Sequence, residues 1–101
     1  MKVYRIYLGL TSPSLPNEPV DIQDRREWIE AQAEEHFPYG ITMFEGKGLW
    51  DGCHEPVITL ELITWNVQQQ KDLINLGGRY KDHAKQEVVL FTEQRIEASL
   101  I

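Results

Sequence analysis

The sequence predicts an α+β sandwich of the ferredoxin-like kind, ordered βαββαβ, with a four-stranded antiparallel sheet and two helices on one face. Three observations carry that expectation. Val3–Leu10 and Val57–Trp65 alternate apolar and polar residues with the strand period of two. Ile22–His36 and the stretch after Asn66 instead repeat apolar residues at helical spacing, and each is followed by a further strand-like run. Right-handed crossovers between such elements place the first and third strands side by side at the centre of the sheet. With 101 residues the chain has the size of one domain around one core, so a single domain over 1–101 is expected.

In the first strand Tyr4, Ile6, Leu8 and Leu10 share one side, and Val3, Arg5 and Tyr7 the other. Pro13, Pro16 and Pro19 exclude a central strand between Thr11 and Pro19 and predict a loop. Asp21 is the expected N-cap of the first helix. Ile22, Ile29, Ala33 and Phe37 form its apolar stripe, and Asp24, Glu27, Glu30, Glu34 and Glu35 fill the remaining arc. Pro38 closes that helix. Ile41–Phe44 reads as the second strand, and Gly46, Gly48 and Gly52, around Leu49 and Trp50, predict a bulge and then a hairpin.

Pro56 is expected to open the third strand, with Ile58, Leu60 and Leu62 on one face and Val57, Thr59, Glu61, Ile63 and Trp65 on the other. Asn66 caps the second helix, with Gln69 placed as a capping-box partner and Leu73, Leu76, Tyr80 and Ala84 as the apolar stripe. Gly77-Gly78 costs that helix roughly 1 kcal/mol per glycine relative to alanine, which predicts either a kink or a close approach to the sheet. Gln86–Thr92 is the expected last strand, Val88 and Leu90 facing the core, with Arg95–Ile101 an extension or a tail.

Hydrophobic residues make up 42% of the chain and charged residues 26%, the balance of a soluble globular domain. A formal net charge of −6 repels phosphate backbones and anionic membranes, so nucleic-acid duplexes and membranes are not expected partners. The start of the chain lacks the apolar core of an export signal, no apolar run is long enough to span a bilayer, and the lone Cys53 cannot form an internal disulfide. A cytoplasmic location is the expectation.

Phe37-Pro38-Tyr39-Gly40-Ile41-Thr42, Gly48-Leu49-Trp50, Tyr80 and Gln86-Glu87-Val88-Val89 together resemble a family of small bacterial proteins with an uncharacterised ferredoxin-like domain. The resemblance runs from Trp28 to Leu90 and implies the fold but no reaction. Many members of that family look secreted or lipidated, whereas no export signal is read here.

The sheet face away from the helices is expected to carry Arg5, Tyr7, Thr59, Glu61, Ile63 and Trp65, too apolar a set for ordinary solvent surface. Two readings follow: a homodimer packed sheet against sheet with Arg5 and Glu61 pairing across strands, or a pocket walled by Tyr7 and Trp65 with Arg5 and Glu61 as its polar handles. Trp50 in the Gly46–Gly52 hairpin is either an aromatic anchor for a partner or a cap on the core. Arg79, in the locally basic run Arg79–Lys85, is either an anion-binding residue or solvated helix charge.

Catalytic constellations are weak. Cys53 and His54 are neighbours in sequence and point to opposite faces of a strand, and His36, His54, His83 and Cys53 lack paired metal-ligand spacing. Gly46-Lys47-Gly48 lacks the spacing of a phosphate loop, and the arginine loop with a following asparagine that acylphosphatases require is not found. No catalytic residue, metal or cofactor is predicted. The leading expectation is a non-enzymatic binding or regulatory module, homodimeric, taking a small molecule or a protein partner. The alternatives are a small dimeric αβ-barrel enzyme for a compact apolar or aromatic molecule, with Glu61 as base and Arg5 as anion holder, or a virus-encoded acidic inhibitor of a host defence protein or nucleotide signal.

Overall fold

The computed structural model describes residues 1–11 and 20–101, apart from the side chain of Trp50. The elements run β1 (Lys2–Gly9), α1 (Ile22–His36), β2 (Thr42–Trp50), β3 (Cys53–Thr64), α2 (Val67–His83) and β4 (Leu90–Arg95). All strand pairings are antiparallel and the sheet order is β2-β3-β1-β4, so the predicted ferredoxin-like sandwich is the fold, with β1 and β3 central. Beyond Thr11, the proline-rich loop expectation lies outside the described residues.

The core forms as the alternation dictates. Tyr4, Ile6, Leu8 and Leu10 from the first strand and Ile58, Leu60 and Leu62 from β3 are buried beneath Ile29, Ala33 and Phe37 of the first helical segment and Leu73, Leu76, Tyr80 and Ala84 of the second. Asp21 caps α1, its Oδ1 accepting from the Asp24 amide at 3.0 Å. Asn66 caps α2 through the Gln68 and Gln69 amides. The capping-box expectation for Gln69 fails: the Thr64 hydroxyl takes the Asn66 amide at 3.0 Å and itself donates to the Gln69 side chain.

Three further expectations are corrected. β2 has no bulge, because it pairs residue for residue with β3 from Thr42 opposite Glu61 to Trp50 opposite Cys53. Asp51 and Gly52, both at positive φ (48° and 77°), close the hairpin in two residues, the turn whose twist matches the strands it joins. β3 therefore starts at Cys53, ahead of Pro56. β4 lies later than expected and has the opposite parity: Val88 and Leu90 are exposed, while Val89 and Phe91 pack on the core, Phe91 stacked on Tyr4 at 5.8 Å. Between kink and close approach, Gly77 takes the second. A Cβ there would make only ordinary contact, 3.5 Å from Val89 Cγ1, so the approach leaves room for alanine, and α2 runs unbroken past both glycines.

Pro56 inside β3 leaves a mark on its neighbour. The Leu10 amide donates to the Pro56 carbonyl at 2.9 Å, but proline has no N–H to return the bond. The Leu10 carbonyl is taken instead by Arg25 Nη1 at 3.1 Å, and Arg25 Nη2 donates to the Ala84 carbonyl at 3.1 Å. One guanidinium thereby joins the end of β1 to both helices.

Candidate functional site

The face of the sheet opposite the helices divides into a centre and an end. At the centre, Arg5 and Glu61 are direct cross-strand partners, and Arg5 Nε donates to Glu61 Oε2 at 2.7 Å. Tyr7 is half-buried between Thr59 and Leu90 of the flanking strands. Phe44, Ile63 and Leu90, each about half exposed, surround this pair.

Trp65 is 77% exposed and follows the last residue of β3. Tyr7 lies opposite Thr59, six residues before Trp65 and about 20 Å along the strand, so one pocket does not hold both aromatic rings. Arg79 sits on α2, on the helical side of the molecule, and donates to Gln32 of α1 at 3.3 Å. The Trp50 backbone ends β2 opposite Cys53, and its side chain lies outside the described residues. Of the five singled-out residues whose side chains are described, Arg5, Tyr7 and Glu61 come together, and Trp65 and Arg79 do not.

The end of the same face carries a residue that sequence reasoning missed. Glu55 is 6% exposed and shares the side of β3 that holds Val57, Thr59 and Glu61. Its Oε2 accepts from the Thr11 hydroxyl at 2.6 Å and from the Thr11 amide at 3.4 Å. A Cβ on Gly9 would stand 2.6 Å from Glu55 Oε1, so the carboxylate occupies the space that a side chain at position 9 would fill. Among the described residues Glu55 is in no ion pair. Among the described residues the donors reach only Oε2, and none reaches Oε1.

The backbone around this carboxylate is fixed from three sides. The Tyr80 hydroxyl donates to the Gly9 carbonyl at 2.5 Å, Arg25 holds the Leu10 carbonyl, and the Gln86 amide donates to the Thr11 carbonyl. Burial pushes the Tyr80 hydroxyl up to about 12, with Arg25 opposing the shift and the Glu55 charge adding to it. Three consecutive carbonyls are thus pinned, and Thr11 is presented to Glu55 in one geometry. Continuing the Val57, Thr59, Glu61 alternation backwards reaches Glu55, a signal hidden by taking Pro56 as the strand's start. Among the described residues no cluster of three or more His, Cys, Asp or Glu is grouped to hold a metal, and no helix is long and apolar enough to cross a membrane.

No protein-family model and no curated protein matches the chain. Solved structures do match in shape. The chain is similar to a phage SAM lyase in its apo state, at TM-score 0.65 and 19% identity, covering 92% of this chain and 78% of that one. A phage SAM lyase in complex with S-methyl-5′-thioadenosine matches at TM-score 0.59 and 19% identity, covering 92% and 79%. A de novo designed protein, Foldit4, matches at TM-score 0.60 with 8% identity, covering 95% and 98%. A design and natural lyases sharing this shape establish the fold, and none of these matches names the small bacterial family that the sequence resembles.

Proposed function

We propose that the chain is a binding module for a small cationic nucleoside of the S-adenosylmethionine class, held at the Glu55 end of the open sheet face. The observation that carries this reading is a carboxylate already withdrawn from water, hydrogen-bonded by Thr11 but without a cation among the described residues. A buried charge gains most from an opposite charge, and one held in place before binding costs the ligand little reorganisation. A sulfonium carries a fixed positive charge that no proton transfer can remove, so it can pair with such a carboxylate without giving up a proton to it. The likeness to the phage SAM lyases supplies the ligand class, and the local chemistry of Glu55 agrees with it.

Calorimetric titration with S-adenosylmethionine and with neutral S-methyl-5′-thioadenosine tests the reading. The sulfonium should bind more tightly by roughly tenfold or more, the worth of one charge-assisted contact. Equal affinity for the two, or none for either, removes it. Chromatography of the same mixtures shows whether S-methyl-5′-thioadenosine accumulates, which separates an enzyme from a binding module.

A second reading, compatible with the first, makes the centre of the open face a homodimer contact. Phe44, Ile63 and Leu90 are 46%, 48% and 50% exposed around the Arg5–Glu61 pair, an apolar ring with a charge pair that can be shared between two copies. Sedimentation of the protein and of Ile63→Lys tests it. A dimer that Ile63→Lys dissociates supports this reading, and a wild-type monomer removes it.

A further inference from the structure

On the far side of the molecule from Glu55, between the C-terminal half of α1 and the start of β2, lies a groove of about 500 Å³. Phe37 and Ile41 form its apolar floor, Glu30 and Glu34 rise along the α1 wall, and Tyr39 (97% exposed) and Met43 (41% exposed) stand at its mouth. One turn earlier the same helix makes a matched contact with the sheet: Arg26 pairs with Glu45 at 2.5 Å. Glu30 and Glu34 have no such partner among the described residues.

The groove borders an open sheet edge. Among the described residues β2 pairs only with β3, so alternate peptide groups of Thr42–Trp50 face outward with no described strand beside them. Main-chain groups able to bind an extended segment therefore run beside side chains able to read it, the arrangement that strand addition exploits.

We propose that this edge and groove take an extended basic segment of a partner protein, added as a fifth strand along β2. Every second side chain of that strand lies over the groove. A lysine or arginine there rests its aliphatic stem on Phe37, Tyr39 and Met43 and brings its charge to Glu30 and Glu34. A second copy of this chain suits the edge poorly. The chain carries a net charge of −6, and joining two β2 edges with both helix layers on one side sets Glu30 and Glu34 of each copy against those of the other.

The probe is the peptide acetyl-Lys-Val-Lys-Val-Lys-Val-Lys-amide, followed by amide chemical shifts of the isotope-labelled full chain. The shifts should concentrate along Ile41–Gly48 and in the Glu30–Tyr39 segment. The exposed double variant Glu30→Lys/Glu34→Lys should bind roughly tenfold more weakly, and so should the same peptide N-methylated at alternate residues, which loses its donors to the sheet edge. Circular dichroism shows whether the double variant keeps its fold, and the methylated peptide tests the edge without altering the protein. Shifts scattered over all acidic surfaces, or affinity indifferent to both changes, overturn the proposal. So does slow hydrogen exchange along Ile41–Gly48 in a peptide-free dimer, because a second copy then fills the edge.

Discussion

Two glutamates on one face of one strand meet opposite environments. Glu61 lies at the centre of the sheet with the Arg5 guanidinium 2.7 Å away, and its side chain is 22% exposed. Glu55 lies six residues earlier, at 6% exposure, bound by a threonine hydroxyl and amide and by no cation among the described residues. The first is a partly solvated ion pair, the class of interaction that contributes little to stability. The second is a buried carboxylate with no ion pair among the described residues, and it is there that we propose the ligand binds. The difference comes from the facing strand: Arg5 stands directly opposite Glu61, whereas Gly9, opposite Val57 and diagonal to Glu55, leaves the space that the Glu55 carboxylate fills.

The contrast is sharpened first by alkaline titration, since Tyr80 belongs to the Glu55 end alone. Its hydroxyl ionises near the ordinary tyrosine value of 10.0 when unfolded and at about 12 in the fold. A raised folded value means that stability is intact below pH about 10 and falls as pH climbs towards about 12, by roughly 2–3 kcal/mol. Denaturant midpoints between those limits should show the fall, and Tyr80→Phe should flatten it. A Tyr80→Phe profile identical to that of the wild type would show that another group governs the alkaline limb.

Filling position 9 comes next. In Gly9→Ala the new methyl would meet the Glu55 carboxylate 2.6 Å away, so either the carboxylate or the strand must shift. A loss of about 1–3 kcal/mol in urea unfolding, together with lost S-adenosylmethionine binding, is expected. Intact binding would mean that Glu55 relaxes freely and is not held for a ligand. The smallest effect belongs to Glu61→Gln, which should cost less than about 1 kcal/mol and leave ligand affinity unchanged. A larger loss of affinity would move the site to the centre of the face.

Much of the fold was legible because period and turn chemistry agreed. The bounds expected for α1 match the structure, and the stripe of Leu73, Leu76, Tyr80 and Ala84 is wholly buried. The failures occurred where local signals conflicted with pairing. Pro56 looked like a strand boundary, but it lies opposite Leu10, just past the Gly9–Val57 pair that ends the β1 ladder, and Arg25 replaces its missing donor. The glycines of β2 suggested a bulge, but the Asp51-Gly52 turn already fixes the register residue for residue. Around the start of β4, Val88 and Leu90 are as apolar as Val89 and Phe91, so composition did not separate the faces; the Phe91 stack on Tyr4 does.

The candidate site was legible in part for the same reason. Arg5, Tyr7 and Glu61 follow from simple alternation. Glu55 required knowing that β3 begins before its proline and that Thr11, just past the end of β1, donates to it.

The most direct test is a side-by-side calorimetric titration of S-adenosylmethionine into the wild type, Glu55→Gln and Glu61→Gln. Glutamine at 55 still accepts from Thr11 but has lost the charge, so affinity should fall roughly a hundredfold while the melting temperature stays near that of the wild type. Glu61→Gln should bind as the wild type does. Undiminished binding by Glu55→Gln, or an equal loss in both variants, would contradict the assignment of the site to the buried end of the sheet.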